Sequence, residues 1–175
     1  MIIALAGRRS FPPGSIQSVR ERLRTLLQQQ HADAIVSSAA CGADLLALEE
    51  AGALGLRRRV ILGSDPEHFR QTSVVDHPGG WGAIYDRVLE EVKNNGDLIV
   101  LNSSYAAVNS AILDEAIAMA QKQNTQPIAL ILWDARRRGK QDLTQAFLEE
   151  AKTRGLSVLE MQITEPPMSG GAHPQ

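Results

Sequence analysis

Residues 36–48 read VSSAACGADLLAL, and this stretch decides the fold because it leads from an apolar strand into a helix. Small residues run without a break from Ser37 to Ala43 in a chain otherwise rich in Leu, Ile and Val. Two explanations fit the pattern. The helix packs tightly on its sheet, or a ligand approaches the backbone at Gly42, where no Cβ is in the way. Because the first turn of a helix attracts anions, the second explanation predicts phosphate or another anion as the ligand.

The same alternation of strand and helix extends along the chain in both directions. Between the apolar runs, residues such as Ile16, Val19 and Leu23 recur at helical spacing. Continuous apolar runs are typical of strands that are covered on both faces, and six occur, at 2–6, 34–37, 60–62, 98–101, 128–133 and 158–161. Alternating strands and helices form a parallel sheet through right-handed crossovers. The sequence therefore predicts an α/β, Rossmann-like, doubly wound three-layer domain with a mainly parallel sheet of about six strands.

Length and composition limit the classes of protein. The 175 residues are enough for one domain, which we expect over 1–163, followed by a flexible tail, TEPPMSGGAHPQ, at 164–175. The net charge of −2 argues against a dedicated nucleic-acid binder. No apolar run is long enough for a membrane span. The single cysteine, Cys41, allows no internal disulfide and favours a reducing cytoplasm.

One connection is longer than usual for such a fold. Residues 64–80 read SDPEHFRQTSVVDHPGG, which indicates a short helix through Phe69 and a break at Gly79 and Gly80. Its apolar residues speak against disorder, so we expect it to fold over part of the domain. Trp81 and Tyr85, one helical turn apart, are expected to form a core pair.

Polar segments follow four of the strands. In parallel sheets, ligands bind beyond the carboxyl ends of the strands, where the strand order reverses. We expect the anion at the helix start of Gly42, with Arg8 or Arg9 as its counter-charge. The candidate ligand-binding residues from these segments are Gly7, Arg8, Arg9, Ser37, Ser38, Cys41, Gly42, Ala43, Asp44, Asn102, Ser103, Asn109 and Asp134.

Several familiar sites are not indicated. The first strand ends in AGRRSFPPG, which is not the GxGxxG fingerprint, and Gly139-Lys140 lacks the rest of a P-loop. The four histidines have no metal-ligand spacing and Asp76-His77 alone is a poor site, so no metal is expected. No cofactor is expected either, although a nucleotide-type ligand fits the fold. No histidine lies near Cys41 in the sequence, and we interpret this cysteine as a packing residue.

The chain nevertheless resembles a known group over residues 1 to about 160. The residues that carry the resemblance are Gly7-Arg8-Arg9, the turn from Ser37 to Asp44, the ALEEA sequence after it, and DPEHFRQTSVVDHPGGWGAIYDRVL at 65–89. They resemble the SLOG superfamily, which joins the Smf/DprA proteins to the LOG phosphoribohydrolases, and a bacterial subgroup found alone or attached to signalling domains. The resemblance implies a Rossmann-like fold and a nucleotide-derived ligand. It places Gly7, Arg8 and residues 38–44 at the ligand, with Asn102 and Asn109 approaching it.

A departure from the LOG enzymes bears on activity. These enzymes use a PGGxGTxxE motif whose glutamate is needed to cleave the glycosidic bond. The comparable stretch at 138–145 reads RGKQDLTQ, in which only Thr144 matches, and Glu149 and Glu150 come too late to replace that glutamate. Thr144 therefore joins the candidate ligand-binding residues, and the missing motif argues against phosphoribohydrolase activity.

The sequence is compatible with three functions. The leading hypothesis is the binding or sensing of a nucleotide or nucleotide-derived ligand in signalling. An alternative is a hydrolase for an N-glycosidic or phosphoester bond, with Asp44 or Asp134 as general base. The third is an interaction protein that keeps the fold without a ligand. The apolar helices also suit a homo-oligomer.

Overall fold

The computed structural model describes residues 1–164, so the last eleven residues of the expected tail lie outside the described part of the chain. The strands are β1 (Ile2–Gly7), β2 (Ala34–Ser37), β3 (Arg57–Leu62), β4 (Leu98–Val100), β5 (Ile128–Trp133) and β6 (Ser157–Gln162). The helices are α1 (Ile16–Gln29), α2 (Ala43–Ala53), α3 (Pro66–Ser73), α4 (Trp81–Asn94), α5 (Tyr105–Gln121) and α6 (Leu143–Thr153). All six predicted strands are present.

The six strands form one sheet in the order β4-β3-β2-β1-β5-β6, and every neighbouring pair is parallel. From β1 the chain adds strands outward to β4 and then returns to the other side of β1 with β5. The strand order therefore reverses between β1 and β5, which is where a doubly wound sheet opens a crevice at its carboxyl edge. The predicted fold class is confirmed.

Helices cover both faces of the sheet. Alternate residues of each strand point to opposite faces, so Leu5 and Ile35 pack under α1, α2 and α4, whereas Ala4 and Val36 pack under α5 and α6. Both groups of side chains are buried. Each face has its own apolar core, and these two cores form the three-layer arrangement.

The small residues of the opening stretch allow α2 to pack closely on β1. A Cβ built on Gly7 would lie 2.5 Å from the Cβ of Ala43. One built on Gly42 would lie 2.5 Å from the carbonyl oxygens of both Arg8 and Arg9, and Gly42 has φ of +88°, which favours glycine. Of the two explanations for this stretch, close packing of helix on sheet therefore accounts for both glycines.

The long connection folds over the domain as expected. Its residues 66–73 form α3, Phe69 and Val74 are buried, and α4 begins at Trp81 after the glycine pair. Trp81 and Tyr85 are both buried in the core. Among the residues that the structure describes, no helix is long and apolar enough to cross a membrane.

Candidate functional site

A cavity of about 390 Å³ opens at the carboxyl edge of the sheet, next to the reversal between β1 and β5. Five segments form its wall: residues 6–10 at the end of β1 and beyond it; Ser38, Ala40 and Asp44 around the start of α2; Ser73 and His77 of the long connection; Tyr105, Val108 and Asn109 of α5; and Arg138 with residues 141–144 around the start of α6. The wall thus combines short polar side chains with a few apolar ones, as small-molecule sites commonly do.

Half of the candidate residues from the sequence meet in this cavity. Those in its wall are Gly7, Arg8, Arg9, Ser38, Asp44, Asn109 and Thr144. Those outside it are Ser37, Cys41, Gly42, Ala43, Asn102, Ser103 and Asp134. Asn102 and Ser103 follow β4, which is the edge strand and is separated from β1 by two strands. The hydroxyl of Ser37 is buried and donates to the carbonyl of Leu5 at 3.0 Å.

Three amides around the start of α2 donate hydrogen bonds to backbone carbonyls. The amide of Cys41 donates to the carbonyl of Ser73 at 2.9 Å, and that of Ala43 donates to the carbonyl of Arg8 at 3.0 Å. The amide of Leu45 bonds to the carbonyl of Ala40 at 3.2 Å. The expectation that the amides at this turn are bare is therefore wrong for Cys41, Ala43 and Leu45, whose hydrogen bonds join the turn to other segments of the fold.

Arg8 is also engaged by its own protein. Its Nη1 and Nη2 donate to the two oxygens of Asp142 at 2.6 and 2.9 Å, and its Nε lies 3.4 Å from Asp134. The guanidinium also stacks 5.4 Å from the ring centre of Trp133. Arg8 is only 5% exposed. Its charge is therefore compensated within the wall, and it is not the free counter-charge that the sequence suggested.

Asp142 holds this network together. It is the N-cap of α6, where its carboxylate accepts from the amides of Gln145 and Arg138 as well as from Arg8. Burial alone would raise the pKa of Asp142, but the hydrogen bonds from Arg8 and the two amides outweigh burial and lower the pKa to about 2. Asp142 is therefore ionised at neutral pH.

Asp44 is in the opposite situation. It lies in the first turn of α2, is 8% exposed, and accepts a hydrogen bond from the hydroxyl of Ser38 at 2.6 Å on Oδ2. Its Oδ1 is buried and has no hydrogen-bond partner. Burial raises the pKa of Asp44 to about 7, against the hydrogen bond from Ser38. The cavity thus contains a carboxyl group that takes up and releases a proton near neutral pH.

The remaining wall supplies an aromatic ring, an amide and two cations. Tyr105 lines the cavity and is 49% exposed, and its hydroxyl is hydrogen-bonded to Ser73 at 2.7 Å. The side-chain nitrogen of Asn109 donates to the carbonyl of Leu143 at 3.0 Å, which links α5 to the start of α6. Arg9 pairs with Asp76, and Arg138 lies 3.1 Å from Asp134. Both arginine side chains keep a solvent-exposed part, 34% and 52% respectively.

Sequence reasoning did not select several residues of this wall. Tyr105 follows a strand and Asp142 precedes a helical pattern, so both positions could have been proposed from the sequence. Ser73 and His77 could not, because they belong to the long connection and reach the cavity only through its fold.

Comparisons with known proteins add the following. The structure is similar to the X-ray structure of DNA processing protein A (DprA) from Streptococcus pneumoniae, with a TM-score of 0.42 and 14% sequence identity. The alignment covers 90% of this chain and 57% of that one, so the chain spans a little over half the length of that protein. The likeness carries no information about a ligand or an activity. The sequence matches no family model and no curated protein.

Proposed function

We propose that this protein binds a nucleotide or nucleotide-derived small molecule in the cavity beside Asp44, in a sensing role. One observation carries the proposal: three buried polar atoms without a hydrogen-bond partner belong to residues of this one wall. They are Arg9 Nε, Asp44 Oδ1 and His77 Nδ1. Buried polar atoms are nearly always paired, so a cluster of unpaired ones favours a site that a ligand completes.

The chemistry of the wall suits the parts of a nucleotide. The exposed face of Tyr105 offers a platform on which a base can stack, and Val108 supplies apolar contact beside it. Asp44 can donate a hydrogen bond when protonated or accept one when ionised, which suits the polar edge of a base or a ribose hydroxyl.

A phosphate would need a different position from the one expected at α2. Arg8 is held by Asp142, whereas Arg9 and Arg138 keep exposed parts and line the same wall. An arginine can bind a phosphate bidentately. We therefore propose Arg9 and Arg138 as the cations that a phosphate contacts.

Isothermal titration with a panel of nucleosides, nucleotides, cyclic nucleotides and ADP-ribose derivatives tests the proposal. We expect at least one member to bind with one site per chain. Tyr105→Ala should weaken that binding by about five-fold or more, because base stacking on an aromatic ring contributes about 1–3 kcal/mol. The matched control is Asn94→Ala, at an exposed position of α4 away from the cavity. No binding at millimolar concentration, or equal losses in the two variants, would contradict the proposal.

The raised pKa of Asp44 also favours a second candidate function, the hydrolysis of an N-glycosidic bond. A group with a pKa of about 7 and an unpaired oxygen in the cavity has the properties of a general acid or base. Asp134, the other carboxylate that we considered, is paired with Arg8 and Arg138 and lies outside the wall. This candidate predicts release of a free base that Asp44→Asn abolishes while ligand binding survives. Chromatography of the ligand after incubation measures it.

A further inference from the structure

The fold brings Cys41 together with two residues that lie far from it in the sequence. Cys41 precedes α2. The hydrogen bond from its backbone amide to the carbonyl of Ser73 connects this turn to the end of α3. Asp76 and His77 follow that helix after Val74 and Val75. As a result, one ligand atom from each of Cys41, Asp76 and His77 lies within 4.8 Å of the others.

His77 and Cys41 have metal-binding capacity that the fold does not use, whereas the carboxylate of Asp76 pairs with Arg9. His77 Nδ1 is buried without a hydrogen-bond partner, and its separation of 3.5 Å from the Asp76 carboxylate is longer than a normal hydrogen bond. The sulfur of Cys41 makes only a weak contact, 3.9 Å from the carbonyl of Arg9. Thiolate, imidazole and carboxylate together are the ligands of zinc and cobalt, whereas magnesium and calcium prefer oxygen alone.

We propose that Cys41, Asp76 and His77 form a binding site for a divalent transition-metal ion of the zinc type at the edge of the cavity. The expectation of no metal came from the spacing of the histidines and from Asp76-His77 being a poor site alone, and the sequence did not show that Cys41 lies beside this pair. His77 lines the cavity as well, so the ion would face the space where the proposed ligand binds. The metal site draws on His77, one of the three wall residues with an unpaired atom, and leaves Arg9 Nε and Asp44 Oδ1 for the proposed ligand.

Arg9 is the competing cation. Its guanidinium pairs with Asp76, and its side chain is 34% exposed, so it can turn toward solvent when an ion takes its place. A thiolate and a carboxylate carry two negative charges, which match a divalent ion better than a single guanidinium. Removing the charge of Arg9 should therefore tighten metal binding rather than weaken it.

Titration of the untagged full chain with Co²⁺ under reducing conditions tests the site. We expect one ion per chain and a thiolate-to-cobalt charge-transfer band in the absorption spectrum. Burial raises the pKa of the Cys41 thiol, so binding should also release about one proton, which calorimetry in two buffers measures. No bound ion, or an ion bound without the charge-transfer band, would overturn the proposal.

Variants separate this site from binding elsewhere on the chain. Cys41→Ser should remove the charge-transfer band, and His77→Asn should weaken Co²⁺ binding by about ten-fold or more. Arg9→Gln should tighten it. The matched control is His68→Asn, at an exposed position of α3, which should bind as the wild type does. His77 is partly exposed, so this variant remains informative if Cys41→Ser fails to fold. Unchanged affinity in His77→Asn, or an equal loss in His68→Asn, would contradict the site.

Discussion

Asp44→Asn is predicted to stabilise the protein at pH 8, although it removes a residue of the proposed site. In the folded chain the pKa of Asp44 is about 7, whereas an unfolded chain has the ordinary value of 3.8. The folded state therefore binds this proton more tightly. The associated stability is fully present below pH 3.8 and is lost as the pH rises through about 7.

The size of the effect follows from the two pKa values. Their difference corresponds to about 4 kcal/mol of unfolding free energy at pH 8. Some relaxation around the ionised carboxylate reduces it, so we expect a gain of about 2–4 kcal/mol for the variant. Asparagine has nearly the same shape and can still accept the hydrogen bond from Ser38, so little packing is lost.

Urea unfolding from pH 4 to pH 8 measures this prediction. The difference in unfolding free energy between Asp44→Asn and the wild type should be small at pH 4, grow through pH 7 and then level off. The control Glu90→Gln, at an exposed position of α4, should show no such trend. A variant less stable than the wild type at pH 8, or a difference that does not change with pH, would refute the reasoning.

Two further predictions concern the wall of the cavity. Asp142→Asn should lower the unfolding free energy by about 3 kcal/mol at pH 7, because it leaves the buried guanidinium of Arg8 incompletely paired. In the wild type, the contribution of Asp142 should disappear as the pH falls from 3.8 through about 2, as acid unfolding would show. Gly42→Ala should cost at least about 2 kcal/mol more than Gly14→Ala in urea unfolding. Both glycines have positive φ, but only at Gly42 would the new Cβ meet backbone, and equal costs would contradict the close packing of α2 on the loop after β1.

The strands and helices could be predicted because each depends on local patterns of apolar residues. Continuous aliphatic runs such as 128–133 become parallel strands wherever helices cover both faces. The edge of the sheet that carries the cavity follows from the same pattern, since polar segments leave the carboxyl ends of the strands. Gly7, Asp44 and Asn109 were found in this way.

What the sequence could not indicate are the partners that distant segments provide. The start of α2 looked free for an anion, but the amides of Ala43 and Cys41 donate hydrogen bonds to the carbonyls of Arg8 and Ser73, which lie in other segments of the chain. Arg8 looked available, but Asp142, which is 134 residues away in the sequence, pairs with it. Such pairings depend on tertiary packing, and no local pattern in the sequence encodes them.

The most direct measurement is NMR mapping of amide chemical shifts in the ¹⁵N-labelled chain during titration with the nucleotide panel. The proposal predicts saturable changes concentrated at residues 6–10, 38–44, 105–109 and 138–144, which surround Asp44. No saturable change with any member of the panel would contradict it. Changes centred on the smaller cavity near Arg57 and Lys122, at the opposite edge of the sheet, would contradict it equally.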